Sequence, residues 1–313
     1  MLRDLGVSNL PWPTPSDADH MKPDPGSDPA ELPFPDAAFV QHIDVLLQKD
    51  DPRVTIPWRR RPSWALQNSV KHMVDIGAGV GRFTQSVTST LGRWGVFAKE
   101  PTITLVDGDQ ALFGDLGVPG ARTALEVNDA VRKTAHAFGV DAKVRIEQRN
   151  AAIRPNGTLF PLSQQLQVDL IVASHVTYYF SDGSGLDFAR ACSQHISSGG
   201  LLWLVIRRED CPIYRARAKL LSEIGRADPK PFDYAEHFLL NIKELGDNFR
   251  LVVHSTKIYA LPSKASDRLA ATHLLMWRDY PDMGREEYVA VASLVAYQSR
   301  YPFSEEHIVL VKV

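Results

Sequence analysis

A stretch with three closely spaced glycines constrains this chain most. It reads VDIGAGVGRFT over residues 74–84 and follows a short run that begins at Val70 and favours a buried strand. After it, apolar residues recur every four positions, as on the inner face of a helix, at Phe83, Val87 and Leu91. The chain therefore turns sharply from strand to helix at the glycines, which lack a Cβ and let a ligand approach the backbone. The N–H groups at the start of such a helix suit a polar or anionic ligand group.

The residue pattern of the glycine turn distinguishes two classes of cofactor. A dinucleotide fingerprint, G-x-G-x-x-G, would place its last glycine at position 82, where this chain has Arg82. The chain instead has Asp75 two residues before Gly77, and this Asp-x-Gly-x-Gly-x-Gly pattern resembles motif I of the class I S-adenosyl-L-methionine (SAM) methyltransferases. The resemblance implies that Gly77, Ala78 and Gly79 pass under the methionine part of the cofactor. It also implies that Asp75 meets the amino group of the cofactor, directly or through water.

Composition argues against several other classes of protein. The chain has 313 residues, of which 44% are hydrophobic, enough for one large domain or a domain with an insert. A net charge of −2 provides no basic field for nucleic acid. The two cysteines make neither a disulfide framework nor a C-x-x-C metal motif. No apolar run approaches about 20 residues. We therefore expect a cytoplasmic protein that contacts no membrane or nucleic acid and holds no metal.

The order of segments predicts one main domain with two additions. Residues 1–36 are dense in proline and aspartate, so this segment cannot build a core and is expected to be an extended arm or a lid. The methyltransferase domain is predicted over residues 37–313. Amphipathic segments within 260–303 predict a helical cap on the substrate side, inserted before the last strand.

Strand and helix patterns alternate after the first strand. The remaining predicted strands are 103–107, 144–146, 168–173, 201–206, 251–253 and 307–311. This rhythm predicts an α/β fold, a Rossmann-like seven-stranded doubly wound sheet as in class I methyltransferases. One helix is predicted over residues 123–138, with core positions at Leu125, Val131, Ala135 and Phe138. Another is predicted from about Gly185 to Ile196, with Gly199-Gly200 as its stop.

Polar residues after the second and third strands are candidates for the nucleoside part of the cofactor. Asp107 ends the second strand, where a carboxylate in such sheets accepts hydrogen bonds from ribose hydroxyls. The alternative role for Asp107 is to cap the next helix, which Asp109 could do equally well. Asn150 follows the third strand, where methyltransferases often keep a polar group for the adenine edge, although asparagine is common in turns. Gly108 and Ala151, beside these residues, are assigned to the same cofactor site.

The exit of the fourth strand predicts the acceptor side of the site. There Ser174 and His175 precede the pair Tyr178 and Tyr179. Phenol oxygens and ring faces at this point would lie near a sulfonium or an ammonium. His175 could take a proton from the acceptor, because an unperturbed imidazole titrates near neutrality. The alternatives are ordinary packing for the tyrosines and a structural role for the histidine.

The tyrosine pair also carries a narrower resemblance, to histamine N-methyltransferase and its relatives. The long gap between the glycine turn and Asp107, the helical insert and the apolar last strand are similar too. By that resemblance Gly77, Asp107 and Ser174 contact the cofactor, and Tyr178 and Tyr179 line the substrate pocket. The family has a polar amide in place of His175, and its amine-binding acid has no counterpart in the proline-rich arm, so histamine itself is not supported as substrate.

Together these patterns predict an enzyme that transfers a methyl group from SAM, leaving S-adenosyl-L-homocysteine, to a small molecule. Nitrogen is favoured as acceptor over the oxygen of a phenol or hydroxyl. A catalytically silent SAM-binding scaffold is an alternative, because fold does not fix function. A nicotinamide oxidoreductase is disfavoured by Arg82, and a nucleic-acid methyltransferase by the near-neutral charge. The sequence leaves the oligomeric state open.

Overall fold

A computed structural model of the chain describes residues 56–58, 60–63, 65, 69–79, 81–107, 123–149, 151–177, 185–211, 234–246, 248–260 and 301–313. The chain divides into two compact units, and nearly all of these residues belong to the unit formed by 48–209, 232–258 and 304–313. The predicted arm at 1–36 lies outside the described residues. So does nearly all of the predicted cap at 260–303.

Seven of the described strands form one mixed sheet. The strands are β1 (Val70–Ile76), β2 (Phe97–Asp107), β3 (Lys143–Gln148), β4 (Ala152–Ile153), β5 (Leu159–Phe160), β6 (Val168–Ser174), β7 (Ile196–Arg207), β8 (Phe249–Ala260) and β9 (Tyr301–Lys312). Their order in the sheet is β3-β2-β1-β6-β7-β9-β8, whereas β4 and β5 pair as a separate short hairpin that the sequence patterns did not predict. The pairs from β3 to β7 are parallel, and β9 runs antiparallel to β7. The predicted seven-stranded sheet is therefore confirmed.

Helices between the strands bury the apolar faces of the sheet. They are α1 (Arg82–Trp94), α2 (Ala124–His136), α3 (Gly185–His195) and α4 (Ala235–Asn241), the last continued by a short 3-10 helix at Ile242–Leu245. The residues spaced by four on α1 are buried, as predicted. The central strand β7 is buried from Leu201 to Arg207, as expected of a strand covered on both faces.

The predicted core face of α2 is only half right. Val131 and Ala135 are fully buried, but Leu125 is 78% exposed and Phe138, beyond the helix end, is 39% exposed. The buried partner in the first turns is Val127, two residues from Leu125 and so on nearly the opposite side of the helix. Thr123 caps α2, because its side chain accepts from the Glu126 N–H while the Glu126 carboxylate accepts from the Thr123 N–H.

The predicted glycine stop of α3 is wrong. The helix ends at His195, and Gly199-Gly200 belongs to β7. Lys312 supplies the missing cap, because its ammonium donates to the carbonyls of Ser193 (3.0 Å) and Ile196 (2.7 Å). A Cβ on Gly200 would lie 2.9 Å from the carbonyl oxygen of Asp169, so the glycine serves a close approach of neighbouring strands.

Candidate functional site

The parallel strands bring the predicted site residues to one edge of the sheet, which we call the carboxyl edge. At the end of β1, Ile76 pairs with Val106 of β2 and with Ala173 of β6. The glycine turn after β1 therefore begins between Asp107 on one side and Ser174-His175 on the other. Because β9 is antiparallel to β7, its first residues return to the same edge, where Glu305 pairs with Arg207. In open α/β sheets, ligands bind at this edge.

The glycine turn adopts a backbone that requires glycine. Gly77, Gly79 and Gly81 have φ angles of +69°, +52° and +72°. A Cβ on Gly77 would lie 2.6 Å from Cγ2 of Val176, and one on Gly81 would lie 2.6 Å from Cγ1 of Val127. The turn is thus packed between the chain after β6 and helix α2, and a side chain at Gly77 or Gly81 would overlap these neighbours.

Asp107 contacts the glycine turn directly. Its Oδ2 accepts a hydrogen bond from the N–H of Gly79 at 2.7 Å. The bond links the end of β2 to the turn that follows β1. The structure thus joins two elements that the sequence assigned separately to the cofactor.

Asp75 lies deeper than the other acids of the predicted cofactor site. It is 1% exposed, and its Oδ2 accepts from the hydroxyl of Thr84 at 2.6 Å. Since Thr84 is in the first turn of α1, this bond ties β1 to the helix across the glycine turn. Thr84 was missed by the sequence analysis, because it is one of several polar residues at the start of α1. The contact of Asp75 with a cofactor amino group remains a prediction.

Some of the remaining predicted site residues lie within the described ranges and others outside them. Ala78 is buried beside the glycine turn, and Ser174 is half-buried at the end of β6. Ala151 is half-buried shortly after β3. Gly108, Asn150, Tyr178 and Tyr179 lie outside the described residues.

His175 occupies a constrained position immediately after β6. Its φ is +56°, the left-handed region that few residues other than glycine adopt. Its backbone N–H donates to the carbonyl of Val205 at 2.9 Å. Its Nε2 lies 2.7 Å from Oε1 of Glu305, with side-chain exposures of 21% for His175 and 2% for Glu305. A partly exposed imidazole is therefore backed by a buried carboxylate.

Further charged groups surround Glu305. Arg207 faces it across the strand pair, and His307 follows it on the same face of β9. Burial raises the pKa of the Glu305 carboxyl, but the charges of His175, His307 and Arg207 and the contact with His175 hold that pKa below its usual range. We call His175, Arg207, Glu305 and His307 the edge cluster.

His307 is the most deeply buried member of the edge cluster. Burial lowers its pKa to about 4, against the opposing attraction of Glu305. Its Nδ1 accepts from Nε1 of Trp203 at 3.1 Å. Trp58 packs on Trp203, His254 and His307 at ring-centroid distances of 5.2, 5.7 and 5.8 Å. His307 is therefore neutral at neutral pH.

The sequence analysis missed three members of the edge cluster: Arg207, Glu305 and His307. The available signal was the polar run Glu305-Glu306-His307, which opens an otherwise apolar last strand. A last strand that runs antiparallel to its neighbour brings its amino-terminal part to the carboxyl edge. The sequence alone does not show in which direction the last strand runs.

Two kinds of feature are absent from the described residues. No helix among them is long and apolar enough to cross a membrane. Within the same ranges, no group of three or more His, Cys, Asp or Glu residues could hold a metal ion.

Comparisons with known proteins give matches among solved structures alone. No protein-family model matches the chain, and no curated protein matches it. It is similar to a SAM-dependent methyltransferase from Thiobacillus denitrificans in complex with S-adenosyl-L-homocysteine, with 15% identity and a TM-score of 0.42 over 87% of this chain and 98% of that one. YjhP from E. coli is similar at 13% identity and a TM-score of 0.40 (79% and 88% covered). Precorrin-6y C5,15-methyltransferase from Geobacter metallireducens is similar at 13% identity and a TM-score of 0.34 (80% and 84% covered).

The class of fold follows from the sheet itself. Parallel strands in the order β3-β2-β1-β6-β7, followed by the antiparallel strand β9 and then β8, form the Rossmann-like sheet of class I methyltransferases. The strand–glycine turn–helix unit is built on β1, the first strand of this sheet in the sequence, which lies between β2 and β6. The narrower resemblance to histamine N-methyltransferase remains a prediction.

Proposed function

We propose that this chain transfers a methyl group from SAM to a small molecule, with a nitrogen acceptor favoured. The observation that carries the proposal is the hydrogen bond between Gly79 and Asp107, which joins the glycine turn to the acid at the end of β2. A dinucleotide would use the same edge, but the pattern around Asp75 and Arg82 favours SAM.

The residues at the carboxyl edge fit this cofactor. Gly77 and Gly79 carry no side chain and have positive φ angles, so the methionine part can lie against the backbone of the turn. Asp107, which is bonded to the glycine turn, supplies a carboxylate of the kind that accepts hydrogen bonds from ribose hydroxyls. SAM bound there would supply a methyl group already activated on a sulfonium, so the protein mainly has to align the acceptor and exclude water.

On the acceptor side, we assign roles to the residues that follow β6. Ser174 contacts the cofactor, and Tyr178 and Tyr179 line the substrate pocket. His175 takes a proton from an acceptor that must lose one, which is required for a protonated amine. The contact between His175 and Glu305 would equally serve a phenol, so an O-methyltransferase is the second candidate.

Calorimetric titration tests the cofactor. We expect SAM and S-adenosyl-L-homocysteine to bind the wild-type protein, and NADH not to bind. Asp107→Ala should weaken SAM binding by roughly tenfold or more, about 1.4 kcal/mol. Asp107→Asn keeps an oxygen for the Gly79 N–H and removes the charge, so it separates the order of the turn from ribose binding.

Asp169→Ala provides the matched control for this titration. Asp169 also accepts a backbone hydrogen bond at 2.7 Å, but at the amino ends of the strands. Its loss should leave the SAM dissociation constant within about twofold, less than 0.5 kcal/mol. Binding of NADH, or no binding of SAM to the wild type, would overturn the proposed function.

A further inference from the structure

His175 is held in place by two interactions on different strands. Its left-handed backbone is strained for a residue other than glycine, so the surroundings have to maintain it. The N–H bond to Val205 of β7 fixes the backbone, and the contact with Glu305 of β9 fixes the ring. Strained residues of this kind cluster at functional sites.

The two partners of this contact differ in burial, and the difference gives them different roles. Glu305 is inside the protein, where an ionised carboxylate is stable only if it is paired. His175 reaches the surface at the carboxyl edge. A purely structural ion pair would bring little stability over an apolar pair of similar volume. An inner carboxylate behind an outer imidazole is instead the arrangement that orients a catalytic histidine.

The groups facing this pair determine which partner is charged. They are Arg207 on β7, His307 on β9 and, beyond His307, His254 on β8. Because the pKa of Glu305 lies below its usual range, its carboxylate is ionised at neutral pH. An ionised carboxylate 2.7 Å from Nε2 favours the proton of the neutral imidazole on Nε2, which leaves the lone pair on Nδ1.

We propose that Glu305 is a positioning residue, which fixes the imidazole of His175 with its proton on Nε2 so that Nδ1 accepts a proton from the methyl acceptor. The inference rests on the proposed function and deepens it. In this step the N–H or O–H bond of the acceptor breaks, and its electron pair stays on the acceptor. The proton bonds to the lone pair on Nδ1. The resulting imidazolium faces the Glu305 carboxylate, which stabilises the new charge.

The substrate class follows from this step. A base is needed only for acceptors that lose a proton before or during attack, which are ammonium groups and phenols. A nitrogen that already carries an available lone pair and no proton to lose, as in pyridine, does not need it. The pair therefore predicts protic acceptors, and its removal should affect them selectively.

The first test is an NMR measurement on the full chain with ¹⁵N-labelled histidine rings, without cofactor or acceptor. In the wild type, the neutral form of His175 should show the tautomer protonated on Nε2. Glu305→Gln, which has nearly the same shape, should shift His175 toward a mixture of tautomers. Glu306→Gln is the matched control, because Glu306 is the next residue of β9, is similarly buried and instead contacts Arg208 and Ser255. Protonation of His175 on Nδ1 in the wild type would overturn the proposal.

The second test measures methyl transfer from labelled SAM to benzylamine, which is an ammonium ion at neutral pH, and to phenol and pyridine as probe acceptors. Glu305→Gln should lower kcat for benzylamine and phenol by roughly 10²-fold, as for the loss of general-base catalysis, with KM and SAM affinity nearly unchanged. Glu305→Asp should recover part of this rate, and transfer to pyridine should not respond. A similar loss for pyridine, or a loss confined to KM, would show a structural role and contradict the inference. Failure of SAM to bind would instead defeat the proposed function, whatever the tautomer.

Discussion

The two ends of the parallel strands are built in opposite ways. At the amino ends, Asp169 accepts hydrogen bonds from the N–H groups of Lys71 (2.7 Å) and His72 (2.9 Å), and from the hydroxyl of Ser197 (3.2 Å). Lys312 caps the last carbonyls of α3 nearby. These polar groups are half-buried or exposed, and they pair with the backbone across neighbouring strands. This edge holds the sheet together.

At the carboxyl edge, backbone strain and buried charge occur together. Gly77, Gly79 and His175 have positive φ angles. Glu305 and His307 are almost completely buried. Asp107 accepts a backbone hydrogen bond from the glycine turn, in which the φ of Gly79 is +52°, whereas Asp169 accepts two from strand β1. The two carboxylates therefore have similar bonds in different surroundings.

The largest expected effect is that of Gly77→Ala at the carboxyl edge. The alanine meets a left-handed backbone, at about 1–2 kcal/mol, and a Cβ contact of 2.6 Å with Val176, at about 1–3 kcal/mol. Urea denaturation should show the sum as a loss of unfolding free energy. SAM binding should be lost as well, because relief of the contact with Val176 displaces the backbone of the turn against which the cofactor would lie.

Gly95→Ala is the matched control for Gly77→Ala. Gly95 ends α1 with a similar φ of +66°, but no atom lies within 4 Å of its Cβ position. It should lose only the conformational part, about 1–2 kcal/mol, and bind SAM as the wild type does. Equal losses of stability in the two variants would mean that the packing of the glycine turn adds nothing to its conformation.

Local patterns were sufficient to predict the sheet and the elements around the glycine turn. The strand before the turn, the helix after it and the position of Asp107 at the end of β2 depend on neighbours in the sequence, so periodicity and spacing identify them. The errors occur where distant segments decide. Leu125 fits a helical apolar pattern, yet α2 packs through Val127 instead. Gly199-Gly200 has the composition of a helix stop, but Lys312, from the other end of the chain, provides the cap.

The edge cluster could not be predicted for the same reason. His175 and Glu305 come together because β9 inserts antiparallel beside β7, and this direction depends on the whole sheet. A histidine after the fourth strand was identifiable as a candidate, but its partner was not. The part of the candidate site that depends on long-range strand pairing could therefore not be predicted from local sequence patterns.

The next prediction concerns acid and the buried imidazole of His307. Its pKa is near 6.5 when unfolded and about 4 when folded, so the unfolded chain binds more protons between these values. Its contribution to stability is complete above pH 6.5 and is lost as the pH falls toward 4. The loss is about 1.4 kcal/mol per pH unit and about 3 kcal/mol in all.

His307→Gln tests this prediction by removing the titration. Glutamine keeps an acceptor for Nε1 of Trp203, although it does not replace the imidazole ring, so the variant should be less stable than the wild type at pH 7. Because glutamine does not titrate, the variant should lose less stability than the wild type between pH 6.5 and 4. Urea denaturation at several pH values measures both slopes. His195, whose pKa burial also lowers, is present in both proteins and cancels in the difference. Glu305 contributes its loss below about pH 4.5, its ordinary pKa, because its folded pKa is lowered. Parallel slopes would show that His307 does not titrate in this range.

The smallest effect is expected at the amino edge, from Asp169→Ala. The variant removes the acceptor for two backbone N–H groups, but Asp169 is half-buried, so water can replace the carboxylate. We expect a loss of about 1–2 kcal/mol in urea denaturation, at 0.5–1.5 kcal/mol for each net hydrogen bond. Asp169→Asn, which keeps one acceptor oxygen, should lose about half of that. SAM affinity should remain at the wild-type value in both, because Asp169 lies at the opposite ends of the strands from the glycine turn. A parallel loss of SAM affinity would mean that the strands transmit changes from one edge to the other, and the division between a structural and a functional edge would then be wrong.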